Sequence, residues 1–308
     1  MTKRALILGI GGQDGSYLAD ELIERRYIVY GLYRRSSYDN LRRIEHVRER
    51  VNLVPGDLLD PLSLTKVLEQ ARPDEIYNVA DQDHVGFSMA TPSYSMSVTA
   101  GGVANVLEAV FQHRQDVKVF QPISSTIFAP SKEPLTESSP LAPASPYAVA
   151  KAAALYLSRH YRREHGLKVY CGIMLNHDSP RRGKDYLLQK ICRHREAEAS
   201  VLNPCLKPLR IYNPNGIVDV GFAGDYMRGV VDMLEKAEPD DYVMSSSDPV
   251  AVRQLVDWAG VKNVYYQDGV DLPPVVGDSS KARAAFGFAP MTPIITLIQD
   301  IVRAEERY

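Results

Sequence analysis

Ala5-Leu-Ile-Leu-Gly-Ile-Gly-Gly-Gln-Asp-Gly-Ser16 decides how the rest of the chain is read. Ala5 to Ile10 is a short apolar run, the pattern of a strand buried on both faces of a parallel sheet. Ser16 to Arg25 then repeats its apolar residues at helical spacing. Between them, Gly9, Gly12 and Gly15 make a Gly-x-x-Gly-x-x-Gly turn. Such a turn lets backbone approach a pyrophosphate, which sits at the positive N-terminus of the following helix. The triplet alone is weak, but it stands between the strand and the helix it requires. A dinucleotide held through Gly9, Gly12, Gln13, Asp14 and Gly15 is the expectation.

Tyr27 to Tyr33 reads as the second strand and ends in Arg34-Arg35-Ser36-Ser37. An acidic residue there would bind a ribose 2'-hydroxyl. Arg34, Arg35 and Ser36 instead suit the 2'-phosphate of NADP. The alternation continues with a strand at Val51 to Val54, a helix at Ser63 to Ala71, a strand at Glu75 to Val79, a helix at Ala100 to His113 and a strand at Lys118 to Ile123. Strands and helices at this spacing imply right-handed crossovers and an α/β fold, a Rossmann-type doubly wound parallel sheet. Asp57 and Leu58, after the third strand, are candidate cofactor contacts near an adenine ring, with helix capping as the other reading of Asp57.

Ser124-Ser125-Thr126 follows the strand ending at Ile123, at the carboxyl edge where open α/β sheets bind ligands. Ser145-Pro-Tyr-Ala-Val-Ala-Lys151 opens a helix, with Ser145 as cap and Pro146 in the first turn. Tyr147 and Lys151 are four apart and share a face. A phenol has a free pKa of about 10, and a neighbouring ammonium favours its phenolate. The three residues Ser124, Tyr147 and Lys151 therefore suit proton transfer to or from a substrate oxygen. An apolar strand follows at Val169 to Leu175. Beyond Asn176 the pattern turns irregular and proline-rich, apart from helices expected at Phe222 to Lys236 and Ile294 to Arg307. The expected division is an NADP-binding domain at 1–175, rejoined by about 211–238, with 176–308 mainly a smaller substrate-binding lobe.

With 308 residues, 45% apolar and 24% charged, the chain is long enough for one large α/β domain or two modest ones. Its net charge of −2 carries no long single-sign run, which argues against a nucleic-acid or membrane partner. No run of about eighteen apolar residues occurs, and Met1 to Gly9 leads straight into a strand pattern, so the cytoplasm is the expected compartment. Cys171, Cys192 and Cys205 are widely spaced, match no metal-ligand pattern and are expected as reduced thiols.

Together these pieces resemble the extended short-chain dehydrogenase/reductases that act on nucleotide sugars, and among them the GDP-mannose 4,6-dehydratase family. The matching runs include Gly12-Gln-Asp-Gly-Ser-Tyr17, Arg43-Ile-Glu-His46, His84-Val85, Asn176-His177, Ser179-Pro-Arg-Arg-Gly183, Lys190-Ile191 and Gly221-Phe-Ala-Gly-Asp-Tyr226. The resemblance implies NADP in the first half, a GDP-linked sugar under the second lobe, and a homodimer or homotetramer. It implies oxidation at C4 of the sugar, loss of water across C5 and C6, and return of the hydride to C6. It makes Ser124, Tyr147 and Lys151 the redox set, and Asp83, His84, Asn176, Arg182 and Lys190 candidate substrate contacts.

The departures from that pattern bear on the chemistry. Thr126 stands where the resemblance expects the glutamate that acts as acid/base in elimination. A threonine hydroxyl has no useful pKa for that task near neutrality. Asp83 replaces a small hydroxyl residue, Val218-Asp-Val220 replaces Arg-Asp-Trp, and Asp271-Leu-Pro-Pro274 replaces Arg-Pro-x-Glu. The expectation is hydride transfer at C4, as a 4-keto-sugar reductase or oxidoreductase. The alternatives are a dehydratase with a substitute base, or a cofactor-binding homologue without turnover.

Overall fold

The structure is a computed structural model that describes residues 2–114, 116–199, 206–267, 269 and 273–305. Its strands are β1 (Arg4–Leu8), β2 (Ile28–Tyr33), β3 (Val51–Pro55), β4 (Glu75–Asn78), β5 (Lys118–Ser124), β6 (Lys168–Met174), β7 (Asn176–Asp178), β8 (Leu209–Tyr212), β9 (Ile217–Phe222), β10 (Asp241–Met244), β11 (Pro249–Ala251) and β12 (Val264–Gln267). The helices are α1 (Gln13–Glu24), α2 (Pro61–Ala71), α3 (Val85–Ala90), α4 (Pro92–Ser95), α5 (Gly102–His113), α6 (Pro146–His165), α7 (Leu187–Ala199), α8 (Ala223–Lys236), α9 (Val252–Ala259), α10 (Ser280–Phe286) and α11 (Ile294–Glu305).

Seven strands form one sheet in the order β10-β6-β5-β4-β1-β2-β3, and each neighbouring pair is parallel. The order reverses between β1 and β4, which opens a crevice beyond their carboxyl ends. Helices cover both faces, as a fully parallel sheet requires. Leu64 and Val67 of α2, Val106 and Val110 of α5 and Leu155 of α6 bury one face. Leu18 and Leu22 of α1, Val230 and Leu234 of α8 and Phe286 of α10 bury the other.

Two stretches depart from the expected division: β8 and β9, expected with the first domain, lie in the small sheets, and part of the chain beyond Pro239, most of which was expected in the lobe, joins the central sheet. β10 is the outer strand of the central sheet, paired with β6, and α10 packs on α8 and β10. Asp241-Tyr-Val-Met244 is too short for a clear period, and its opening carboxylate argues against burial. Arg159 and Arg162 reach that carboxylate at 2.6 and 2.8 Å and make its burial tolerable. The lobe has its own core, in which Ile191, Leu255, Val256 and Leu297 join α7, α9 and α11 to the small sheets β11-β9-β7 and β12-β8.

Local signals set the element ends. Ser145 caps α6 by accepting from the Ala148 amide at 3.1 Å, and Gly166, at φ 68°, closes it. The helix expected from Ala100 begins at Gly102, after a π-helical turn at Met96–Gly101. Cys171 and Cys192 are buried, and Cys205 and residue 307 lie outside the described residues. Among the described residues no helix is long and apolar enough to cross a membrane.

Candidate active site

The crevice is a cleft of about 480 Å³. Gly12, Gln13 and Asp14 border it after β1, Asp81, Asp83 and His84 after β4, and Ser124 and Thr126 after β5. Tyr147 and Lys151 of α6 form one wall, and Asn176, His177, Arg182 and Tyr186 the opposite one. The structure thus brings eleven sequence candidates to one place through different strand ends, which is how such sheets build sites.

The glycine turn owes its residues to backbone packing. Gly9 has φ 87°, and a Cβ there would meet the Ala80 backbone at 2.8 Å. A Cβ on Gly15 would meet the Gly9 carbonyl oxygen at 2.3 Å. Only glycine permits this approach, and it brings the first turn of α1, whose amides lack partners within the helix, to the edge of the cleft. Next to them, His177 sits 3.1 Å from the Asp14 carboxylate and 2.9 Å from the Leu175 carbonyl. Two acceptors on the two ring nitrogens suit an imidazolium. Burial opposes the charge on His177, but Asp14 outweighs it and raises the pKa. Burial likewise pushes Asp14 up, yet His177 holds it well below the usual carboxylate range.

At the Tyr147 end, the Lys151 ammonium lies 5.8 Å from the Tyr147 ring centre. It donates to the Pro122 carbonyl at 3.0 Å and pairs with Asp81 at 2.5 Å. The Asp81 carboxylate also accepts from the Gln82 amide at 2.7 Å and from the Thr99 hydroxyl on the π-helical turn. Burial works against the Lys151 charge, but Asp81 leaves its pKa raised overall. The Tyr147 phenol is pushed up to about 12, first by burial and then by Asp81 and Asp83, against the pull of Lys151 and a Ser124 hydrogen bond. Thr126 donates to Ser124 Oγ at 3.0 Å.

Across the cleft, Ser179-Pro-Arg-Arg-Gly183 divides its two arginines. Arg181 docks on α1, reaching Ser16 at 3.1 Å and Asp20 at 2.8 Å, while Ser179 donates to Gln13 at 2.8 Å. Arg182 turns inward, stacks 3.6 Å above the Tyr186 ring and pairs with Asp83 at 3.4 Å. His84 meets the same ring edge-on at 5.6 Å and caps α3 by accepting from the Phe87 amide.

Other candidates lie elsewhere. Arg34, Arg35 and Ser36 are exposed at the end of β2, beyond the cleft lining, with Arg34 donating to the Tyr94 hydroxyl at 3.3 Å. Asp57 accepts from the Leu59 amide in a local turn, and Asp60 rather than Asp57 caps α2. Leu58 is buried against Gly102 in the core. Lys190 is on the exposed side of α7 and does not line the cleft, because Leu188, Gln189 and Ile191 take the inward positions. The sequence reading missed Tyr186 and the Asp81–Lys151 pair. An acid just past a central strand was the only signal for the pair, and Tyr186 gave none.

Fold and crevice together define an extended short-chain dehydrogenase/reductase. A family model described as GDP-mannose 4,6 dehydratase matches residues 6–269. "GDP-mannose 4,6 dehydratase 1" of Arabidopsis thaliana is 37% identical, with 97% of this chain and 89% of that protein covered. A GDP-mannose 4,6-dehydratase of Vibrio cholerae is 36% identical over 92% of this chain and 80% of its own length. The chain belongs to the GDP-mannose 4,6-dehydratase family. Among solved structures, DesIV, a dTDP-glucose 4,6-dehydratase of Streptomyces venezuelae with NAD bound, superposes with a TM-score of 0.86 at 22% identity, covering 99% of this chain and 97% of that one. RMD of Pseudomonas aeruginosa complexed with NADPH gives 0.82 at 21%, covering 100% and 99%. At such identities these two establish the fold.

Proposed function

We propose that this protein is an NADP(H)-dependent enzyme that transfers hydride at C4 of a GDP-linked hexose, working as a 4-keto-sugar reductase. The observation that carries this reading is the meeting of Ser124, Tyr147 and Lys151 at one wall of the cleft, with a threonine hydroxyl and, among the described residues, no carboxylate hydrogen-bonded to Ser124. The glycine turn and the first turn of α1 fit a dinucleotide pyrophosphate, and Arg34, Arg35 and Ser36 would hold its 2'-phosphate. When bound, that cofactor supplies the hydride. Tyr147 gives its proton to the carbonyl oxygen, Ser124 hydrogen-bonds the same oxygen, and Lys151 stabilises the phenolate left behind. Arg182, with Asn176 beside it, is the cation that would meet the sugar's diphosphate.

Elimination needs a base at C5. Thr126 cannot serve, and Asp81 is held by Lys151, Thr99 and the Gln82 amide. Family membership favours a second reading, the full dehydratase, in which Asp83 would have to leave Arg182 and act as the base.

Incubating the protein with NADPH and the GDP-linked 4-keto-6-deoxy sugar should consume nicotinamide absorbance. Incubating it with NADP and GDP-mannose should yield no keto product. Accumulation of that product would overturn the reductase reading in favour of the dehydratase. Silence in both assays despite measurable NADPH binding would favour a homologue without turnover.

A further inference from the structure

We infer that Asp81 is a positioning residue that neutralises Lys151 and thereby keeps Tyr147 in its proton-donating form. The inference rests on the reading of Tyr147 as the proton donor and adds the direction in which that donor is poised.

The pair sits at the inner end of the cleft lining. Both members of the pair are buried, with side chains 5% and 10% exposed for Lys151 and Asp81. The ammonium donates to the Pro122 carbonyl and forms an ion pair with Asp81. The carboxylate is fixed by its own loop, by α6 and by the π-helical turn, through Gln82, Lys151 and Thr99. A π-helical turn inserted before a helix is a frequent mark of a functional site. Here it supplies the hydroxyl that faces Asp81.

The charges facing the phenol can be counted. α6 itself contributes Lys151, and the loop after β4 contributes Asp81 and Asp83. The end of β5 contributes the uncharged Ser124 hydroxyl. From the opposite wall comes neutral Tyr186, with Arg182 over its ring and His84 at its edge. Lys151 is matched by Asp81 and Arg182 by Asp83, so no net positive charge is left to draw the proton off Tyr147. Without Asp81, Lys151 would face the phenol uncompensated and favour phenolate.

A neutral phenol is the form that protonates a carbonyl oxygen as the carbonyl carbon gains its hydride. The product is the alcohol, and the phenolate left on Tyr147 takes a proton from solvent. Oxidation of the alcohol needs the phenolate from the start. Asp81 therefore tilts the site toward reduction near neutral pH and moves oxidation to higher pH.

The test is a ¹⁹F NMR titration of the full-length protein carrying 3-fluorotyrosine at position 147, which reads the phenol without turnover. Asp81→Asn should lower the titration midpoint by about one pH unit or more, and Asp81→Glu should restore it. The rate of keto-sugar reduction should fall off at a correspondingly lower pH in Asp81→Asn. An unchanged midpoint in a folded Asp81→Asn protein overturns the inference. Should that variant fail to fold, Lys151→Met alone is expected to raise the midpoint, and Lys151→Met with Asp81→Asn to bring it back near the original. Equal midpoints in those two would also overturn it. A shifted midpoint in a protein that reduces no keto sugar would leave the Asp81 coupling standing and sink the proposed function instead.

Discussion

Two carboxylates from one loop, only two residues apart, end in opposite situations. Asp81 points into the Tyr147 wall and is 10% exposed beside a Lys151 that is 5% exposed. Asp83 crosses the cleft and is 53% exposed where it meets Arg182. Water screens the second pair, so little energy is at stake and a ligand can replace either partner. It is excluded from the first, where loss of one charge strands the other. The closed end of the cleft thus has one stable arrangement, and the open end has an acid that an anionic substrate must displace.

Lys151→Met is the strongest way to break this comparison. It should cost about 3–5 kcal/mol in denaturant unfolding, because Asp81 would be left buried and unpaired. Lys151→Met with Asp81→Asn should recover much of that loss. A cost below about 1 kcal/mol for the single change would mean that the two ends do not differ.

The open end should answer in binding rather than in folding. Arg182→Ala should weaken a nucleotide sugar roughly tenfold to a hundredfold in calorimetry, the loss of one charge-assisted contact of about 1.5–3 kcal/mol. Asp83→Ala, which frees Arg182, should tighten binding by about twofold to fivefold with little change in stability. Tightening lost in the Arg182→Ala background would place the whole effect in this pair.

Asp14 and His177, 20% and 13% exposed, sharpen the comparison from between these extremes and should give the smallest effect. The His177 pKa is raised, so its share of stability is complete below the ordinary histidine value of about 6.5 and is lost as pH rises through the raised one. The Asp14 pKa is depressed, so its share is complete above about pH 4 and is lost as pH falls through the depressed value. Between about pH 4 and 6.5 the pair should contribute fully. Melting temperatures of His177→Gln should trail the parent most in that window and converge with it above. A constant gap from pH 5 to 9 would show that the histidine only packs, on Tyr226.

Much of this was legible early. The apolar runs of β1, β5 and β6, the glycine turn and the Ser145-Pro146 cap are local patterns with local causes, and they mark the parallel sheet and the shared face of Tyr147 and Lys151. β10 escaped because its burial depends on two arginines 79 and 82 positions away. α7 escaped because the turn before it, Ser179-Pro-Arg-Arg-Gly183, is anchored by distant contacts to α1 as well as by its own hydrogen bonds. Lys190 was offered by the resemblance as a residue type, and the turn of α7 sets it on the exposed side, off the cleft lining.

The amino-acid order by itself determined the alternation of strands and helices, the glycine approach to α1 and the four-residue step from phenol to ammonium. These follow from backbone sterics and helical period, which act within a few residues. Only the tertiary structure decided which of two neighbouring aspartates would face Lys151 and which would meet Arg182. The pairing of loop charges is fixed by burial and distance across the whole molecule, and no local pattern encodes either.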